Sequence, residues 1–157
     1  LKASAGFDWA TGDDDPADDK LETFNQLFPT GHAHLGFIDY VGRQNIQDFR
    51  GQVGARMVKS LTGTVHVHVF RLDKAQDAWF NAAGDVVGGK NGRFVVDPSR
   101  TERNLGTEVD LLFRFGGFEG AQVEGGYSRF FAGDLVGLGG FPADDSDWAD
   151  VQIKVDQ

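Results

Sequence analysis

The stretch TGTVHVHVFRLD, residues 62–73, alternates valine with histidine across its centre. A period of two is typical of a β-strand that has one apolar face and one polar face. In a soluble sheet the valines would face a protein core and the histidines would face water. In a membrane barrel the valines would face lipid and the histidines a water-filled lumen. One strand does not decide whether its valines face a protein core or lipid, so the rest of the sequence is needed to distinguish these two orientations.

The composition favours one β-rich domain. The chain has 157 residues with 22 glycines, 14 phenylalanines and no cysteine, which suits strands joined by many turns and offers no disulfide framework. Its formal net charge of -9 argues against a nucleic-acid partner. No run approaches the roughly 18–20 apolar residues of a transmembrane helix.

The alternation recurs in five further segments, which predicts an all-β, antiparallel, up-and-down meander of about six long strands. Those segments are residues 1–10, 47–58, 106–115, 121–130 and 148–157. Strands of about 10 residues match the roughly 9–11 of a tilted membrane strand and exceed the roughly 5–6 of an ordinary globular strand. Strand length thus favours a transmembrane barrel.

The connections between these segments alternate strictly between long and short. The long loops are predicted at about residues 11–44, 74–104 and 132–147, with tight turns around KSLTG and GGFEG. Outer-membrane barrels show this asymmetry, and compact domains rarely contain loops of about 30 residues. Residues 1–157 are therefore interpreted as a single β-barrel segment.

Aromatic residues cluster at the predicted strand ends. Phe7 and Trp9 end the first strand, and Trp148 opens the last. Trp79 and Phe80 follow the third strand, and Phe130 and Phe131 close the fifth. Rings at such positions are typical of the interfacial girdles of membrane barrels. We expect a girdle here, with rim packing of an ordinary sheet as the alternative.

Two longer stretches carry a family resemblance. FNQLFPTGHAHLGFIDYVGRQN, residues 24–45, and GYSRFFAGD, residues 126–134, resemble the C-terminal part of the alginate-export family of outer-membrane β-barrels. The resemblance implies a location in the outer membrane of Gram-negative-type cells and passage of an anionic polysaccharide. It also implies that the chain is the C-terminal portion of a larger barrel, because known membrane barrels begin at about 8 strands.

The polar faces of the strands supply candidates for a substrate path. If these faces line a lumen, the basic side chains attract a polyuronate, and arginine can fork onto its carboxylates. The acidic side chains would pair with the basic ones; a solvated, charge-mixed surface is the alternative. The candidates are Arg50, Arg56, His66, His68, Glu108, Asp110, Arg114, Glu124 and Lys154.

Metal sites receive weaker support. His66 and His68 share one face at a spacing that can chelate a metal, but the sequence places no third ligand beside them. Asp13, Asp14 and Asp15 are weak calcium candidates that do not follow the EF-hand template, so a solvated acidic loop is the favoured interpretation. We expect no cofactor.

The sequence thus predicts an outer-membrane, porin-like channel segment for passive export or diffusion of an anionic polysaccharide or a small anionic solute. Its other partners would be membrane lipid and the remaining strands of the same barrel. No enzyme is expected, since the chain lacks cysteine and any G-x-S-x-G sequence. The alternative is a soluble β-barrel or sandwich that binds a ligand such as carbohydrate.

Overall fold

The computed structural model describes residues 1–15, 17–32, 34–88, 94–138 and 144–155. These residues form six strands and one short helix, so the predicted all-β class is confirmed. The elements are β1 (Lys2–Ala10), β2 (Ile46–Val58), β3 (Leu61–Leu72), β4 (Asn104–Phe118), β5 (Ala121–Ala132), α1 (Asp134–Leu138) and β6 (Ser146–Val155).

The six strands form one sheet in chain order, and each strand is antiparallel to the next. This is the predicted up-and-down meander. β1 and β6 form the two edges, so the sheet is open. The described residues contain no helix of the length and apolarity needed to cross a membrane.

The long and short connections lie at opposite ends of the sheet. Lys59–Ser60 and Glu119–Gly120 are the tight turns, and Gly120 has the positive φ of +68° that its turn requires. We call residues 11–45 loop 1 and residues 73–103 loop 2. Residues 89–93 and 139–143 of the predicted loops lie outside the described part of the chain.

Strand register sorts the side chains onto two different faces. Over most of each strand pair, even-numbered residues pair with even-numbered residues, for example Gln52 with His66 and His66 with Asp110, and the register shifts at bulges near the strand ends. Because successive side chains point to opposite sides, most of the charged strand positions fall on one face, whereas Gln47, Arg129 and Asp147 lie on the other. The long loops fold over this face, and we call it the covered face. We call the opposite face, which carries the odd-numbered apolar residues, the bare face.

The bare face presents large apolar side chains that no described part of the chain covers. Their exposed fractions run from 37 % for Val67 to 74 % for Val151. The strand residues concerned are Phe7, Trp9, Phe49, Val53, Met57, Val65, Val67, Val69, Phe113, Tyr127, Phe131, Val151, Ile153 and Val155. The hydrophobic surface of this sheet is thus on the outside.

The apolar core lies between the loops and the covered face, at the long-loop end. It consists of Ala10, Leu35, Val41, Ile46, Phe70, Leu72, Trp79, Phe94, Leu105, Phe130 and Leu135. The girdle expectation is therefore wrong for Trp79, which is buried against Phe94, and for Phe130, which is buried in this core. It is also wrong for Trp148, which stacks on His32 from the covered face. Phe7, Trp9 and Phe131 do lie exposed on the bare face.

Asn45 fastens loop 1 to loop 2. Its fully buried side chain donates to the carbonyls of Lys74 and Ala78 at 3.0 and 2.9 Å and accepts the Lys74 amide at 2.7 Å. Asn45 also adopts a φ of +49°, a left-handed conformation that asparagine tolerates better than most residues. One side chain thus satisfies three backbone groups of the neighbouring loop.

Asn45→Ala is expected to lower the free energy of unfolding by about 1–3 kcal/mol, because it leaves buried backbone groups of loop 2 without hydrogen-bond partners. Denaturant titration of the purified protein measures this change, and amide exchange at Lys74 should accelerate with it. The exposed Asn25→Ala in loop 1 serves as the control and should leave both quantities unchanged. Equal stability of the two variants would contradict the role given to Asn45.

Candidate functional site

The covered face has an open zone toward the tight turns and a buried zone beneath loop 1. A polar groove of about 340 Å³ runs through the open zone. It is lined by side chains of β2 to β6, including Gln52, Thr64, Arg114 and Glu124, and is bordered by Phe37 of loop 1.

Two predicted basic residues of the open zone share one carboxylate. Arg114 Nε lies 2.8 Å from Glu124 Oε1, and Lys154 Nζ lies 3.0 Å from Glu124 Oε2. Gln122 Nε2 donates to the same Oε1 at 2.6 Å. The strand register places Glu124 opposite Arg114, so the arrangement follows from the sheet itself. Glu124 therefore fixes both cations over the groove while offsetting part of their charge.

Arg50 and Arg56 have different environments. Arg50 forms an ion pair with Asp8, lies 3.7 Å from Asp48 and donates to the His34 carbonyl at 3.3 Å. Arg56 is exposed near the tight turns and has no ion pair among the described residues. It is thus the predicted arginine whose charge is least offset.

Acidic residues balance the basic ones on the covered face of this segment. The basic positions are Lys2, Arg50, Arg56, Arg114 and Lys154, and the acidic positions are Asp8, Asp48, Glu108, Asp110, Glu124 and Asp150. Any anion attraction by the described strands must therefore come from local groups rather than from an excess of positive charge.

The buried zone brings together the predicted residues of β3 and β4. His66 lies directly opposite Asp110, and His68 directly opposite Glu108, which places their Cβ atoms about 4.5–5.5 Å apart. The His68 Nδ1 lies 3.0 and 3.1 Å from the two carboxylate oxygens of Asp48. His66 is partly buried and borders the groove, whereas the other four side chains are buried.

Loop 1 is anchored on Glu108. The backbone amides of Phe37 and Ile38 donate to Glu108 Oε1 at 2.6 and 3.0 Å. Gly36 has a φ of +83°, and a Cβ at this position would collide with the Glu108 carboxylate. The Phe37 ring meets His66 edge-on at 6.0 Å between centroids. A glycine therefore permits the close approach that brings loop 1 down onto the sheet.

Four buried atoms in this zone have no hydrogen-bond partner among the described residues. They are Glu108 Oε2, both carboxylate oxygens of Asp110, and Ser128 Oγ. Leaving buried polar atoms unpaired costs about 1–3 kcal/mol each, and more when they are charged. These four atoms thus lack a compensating donor or cation among the described residues.

The acidic start of loop 1 is arranged differently from the prediction. Asp13 and Asp14 lie near Glu22, with one carboxylate oxygen from each within 4.8 Å of the others, while Asp15 is not in that group. The Asp15 amide instead donates to Asp13 Oδ1 at 3.2 Å, and Lys74 pairs with Asp14 at 3.3 Å. A structural calcium ion here stays a prediction.

Three contributors to the covered face were missed by sequence reasoning. Asp48 and Ser128 occupy even positions of β2 and β5, and Asp8 occupies one of β1. Strand parity already assigned Asp8, Asp48 and Ser128 to the polar face. Their roles depend on cross-strand register, which alternation alone does not provide.

A family model described as "Alginate export" matches residues 2–149. The chain therefore belongs to the alginate-export family, a transport family, as its sequence resemblance predicted. A search of curated proteins gave no match.

Gly36→Ala is expected to lift loop 1 from the buried zone, since it combines a Cβ collision with a left-handed φ that costs an L-residue about 1–2 kcal/mol. Amide exchange at Phe37 and Ile38 should accelerate, because both amides lose Glu108 as acceptor. Gly51→Ala on the bare face, where a Cβ meets nothing within 4 Å, is the matched control. Unchanged exchange at both amides would contradict the anchoring role of Glu108.

Proposed function

We propose that this chain is a segment of an outer-membrane β-barrel that passes an anionic polysaccharide or a small anionic solute without covalent chemistry. The covered face would line the lumen, and the bare face would contact lipid. Further strands of the same barrel would pair with β1 and β6, since six strands are fewer than the roughly 8 of the smallest known membrane barrels.

The observation that carries the proposal is the uncovered apolar face. Monomeric soluble proteins rarely expose contiguous apolar patches larger than a few hundred Å², and larger ones mark contact with a membrane or another protein. Here the exposed apolar residues occur on every strand, at alternating positions. A lipid environment accounts for that pattern across the whole sheet, as in known membrane barrels.

The covered face supports a polar path. Glu124 holds Arg114 and Lys154 above the groove, and an approaching carboxylate can exchange with Glu124 as the partner of either cation. Such exchange favours passage over tight binding, because each cation always has an acceptor nearby. Arg56, without an ion pair among the described residues, would supply the least-offset attraction for an anion.

Loop 1 would narrow this path at its long-loop end. It places Phe37 over His66 and bonds to Glu108 from the lumen side of the sheet. The groove continues beneath Phe37 toward the tight turns. An inward-folded loop of this kind would limit the cross-section available to a solute.

A lipid-facing bare surface predicts that Val67→Arg destabilises the barrel by about 2–4 kcal/mol, the cost of arginine near a bilayer midplane. Val67 lies midway along β3 on the bare face. Urea titration of the full-length barrel folded into lipid vesicles measures the change. The control, Gln52→Arg, adds the same side chain to the exposed part of the covered face and should fold like the unmodified barrel.

Two outcomes would overturn the membrane assignment. One is equal stability of the Val67→Arg and Gln52→Arg barrels in vesicles. The other is folding of the unmodified protein as a monomer in detergent-free buffer, which would favour a soluble ligand-binding domain instead.

Passage of anions over the covered face predicts that Arg56→Gln lowers the anion-over-cation permeability ratio by up to about fivefold, because a charge at about 4 Å in water contributes about 1 kcal/mol. The measurement is the reversal potential of the full-length channel in a planar bilayer under a salt gradient. Lys59→Gln removes a cation from the turn after β2 rather than from a strand and should change the ratio less. Identical shifts for the two variants would argue against a path beside Arg56.

A further inference from the structure

The buried zone under loop 1 contains a set of side chains that the proposed transport function does not use. We propose that His66, His68 and Asp110 bind a divalent transition metal ion of zinc-like chemistry. One ligand atom from each of the three residues lies within 4.8 Å of the other two. This inference concerns a bound ion rather than a transported solute, so it stands independently of the proposed function.

The strand register builds this site. His66 and His68 stand two residues apart on one face of β3, with ring centroids 6.5 Å apart and planes inclined by 16°. Asp110 lies directly opposite His66 on β4, on the same face. Two imidazoles and one carboxylate form a ligand set typical of zinc and of other first-row transition metals.

The contact between Asp48 and His68 leaves the Nε2 atom of His68 free to bind a metal. A carboxylate only accepts hydrogen bonds, so the Nδ1 that lies 3.0 Å from Asp48 carries the proton. In the neutral ring Nε2 then has the free lone pair that a metal requires. Histidine ligands commonly donate their other ring nitrogen to a carboxylate in this way, which fixes both tautomer and ring orientation.

The unpaired oxygens of Asp110 supply independent evidence for a ligand. Asp110 is fully buried, and neither carboxylate oxygen has a hydrogen-bond partner among the described residues. Glu108 Oε2, two residues along the same strand, is also buried without a partner. Of the three buried carboxylates, Asp48 has Arg50 at 3.7 Å and His68 at 3.0 Å, whereas Asp110 has no cation among its described neighbours. A divalent cation would provide the partner that the Asp110 oxygens lack.

The site also has an entrance and a means of closure. His66 is partly exposed and lines the polar groove, so an ion in the groove reaches one ligand first. Phe37 covers His66, and the loop that carries it is bonded to Glu108. A bound metal would therefore tie the walls formed by β3 and β4 together beneath loop 1.

The test uses the full-length barrel in detergent, stripped with chelator and titrated with ZnCl₂ by calorimetry. We expect one-to-one binding that equimolar CaCl₂ does not displace, since imidazole suits zinc whereas calcium prefers oxygen ligands. His66→Gln and Asp110→Asn should each weaken binding by at least about tenfold, and Asp48→Asn by about 10–100-fold through the His68 ring. His34→Gln, a change in an exposed loop histidine, should bind like the unmodified barrel.

A second measurement needs no variant. Zn²⁺ should slow the modification of His66 by diethylpyrocarbonate several-fold, as read by mass spectrometry, and should leave His32 and His34 unaffected. Absence of zinc binding to the unmodified barrel, equal affinity of the His66→Gln barrel, or no protection of His66 would each overturn the proposal. None of these readouts depends on transport, so failure of the channel assignment is distinguishable from failure of the metal site.

Discussion

Successive side chains of a β-strand point to opposite faces. The other features of this chain depend on which residues that alternation places on each face. Valine, phenylalanine and isoleucine occupy the bare face, whereas most charged groups of the strands lie on the covered face. In a water-soluble sheet the charged face would be the solvated one. The proposed contact of the bare face with lipid accounts for this inversion.

Placing charge on the inside creates its own demands. Buried carboxylates need hydrogen bonds or cations, and the structure meets part of this need with Arg50 and with the amides of Phe37 and Ile38. Loop 1 therefore also stabilises the buried zone, because its backbone amides donate hydrogen bonds to the Glu108 carboxylate. The oxygens of Asp110 and Glu108 Oε2 have no hydrogen-bond donor among the described residues. The proposed metal ion would supply a positive charge beside them.

The sequence predicted those features that depend only on residues close together along the chain. Alternation gave the six strands and their faces, and it put His66, His68, Glu108 and Asp110 on one side. It could not place Asp110 beside His66, because a partner across the sheet depends on register and therefore on turn geometry and bulges. Nor could it predict that Trp79 packs inward, since an aromatic residue at a strand end fits a loop core as well as a lipid interface. The inward fold of loop 1 depends on Gly36 and on a distant carboxylate, and that pairing leaves no local signal.

The central claim is that the bare face contacts lipid, and spin-label accessibility tests it most directly. The segment has no cysteine of its own. Single labels at positions 64 to 69 of β3, in a full-length barrel in vesicles that is free of other cysteines, therefore report one site each. The account predicts a period of two, with labels at positions 65, 67 and 69 accessible to oxygen and labels at 64 and 66 accessible to a water-soluble nickel reagent. Loss of that alternation, or preferential access of the nickel reagent to positions 65 and 67, would contradict it.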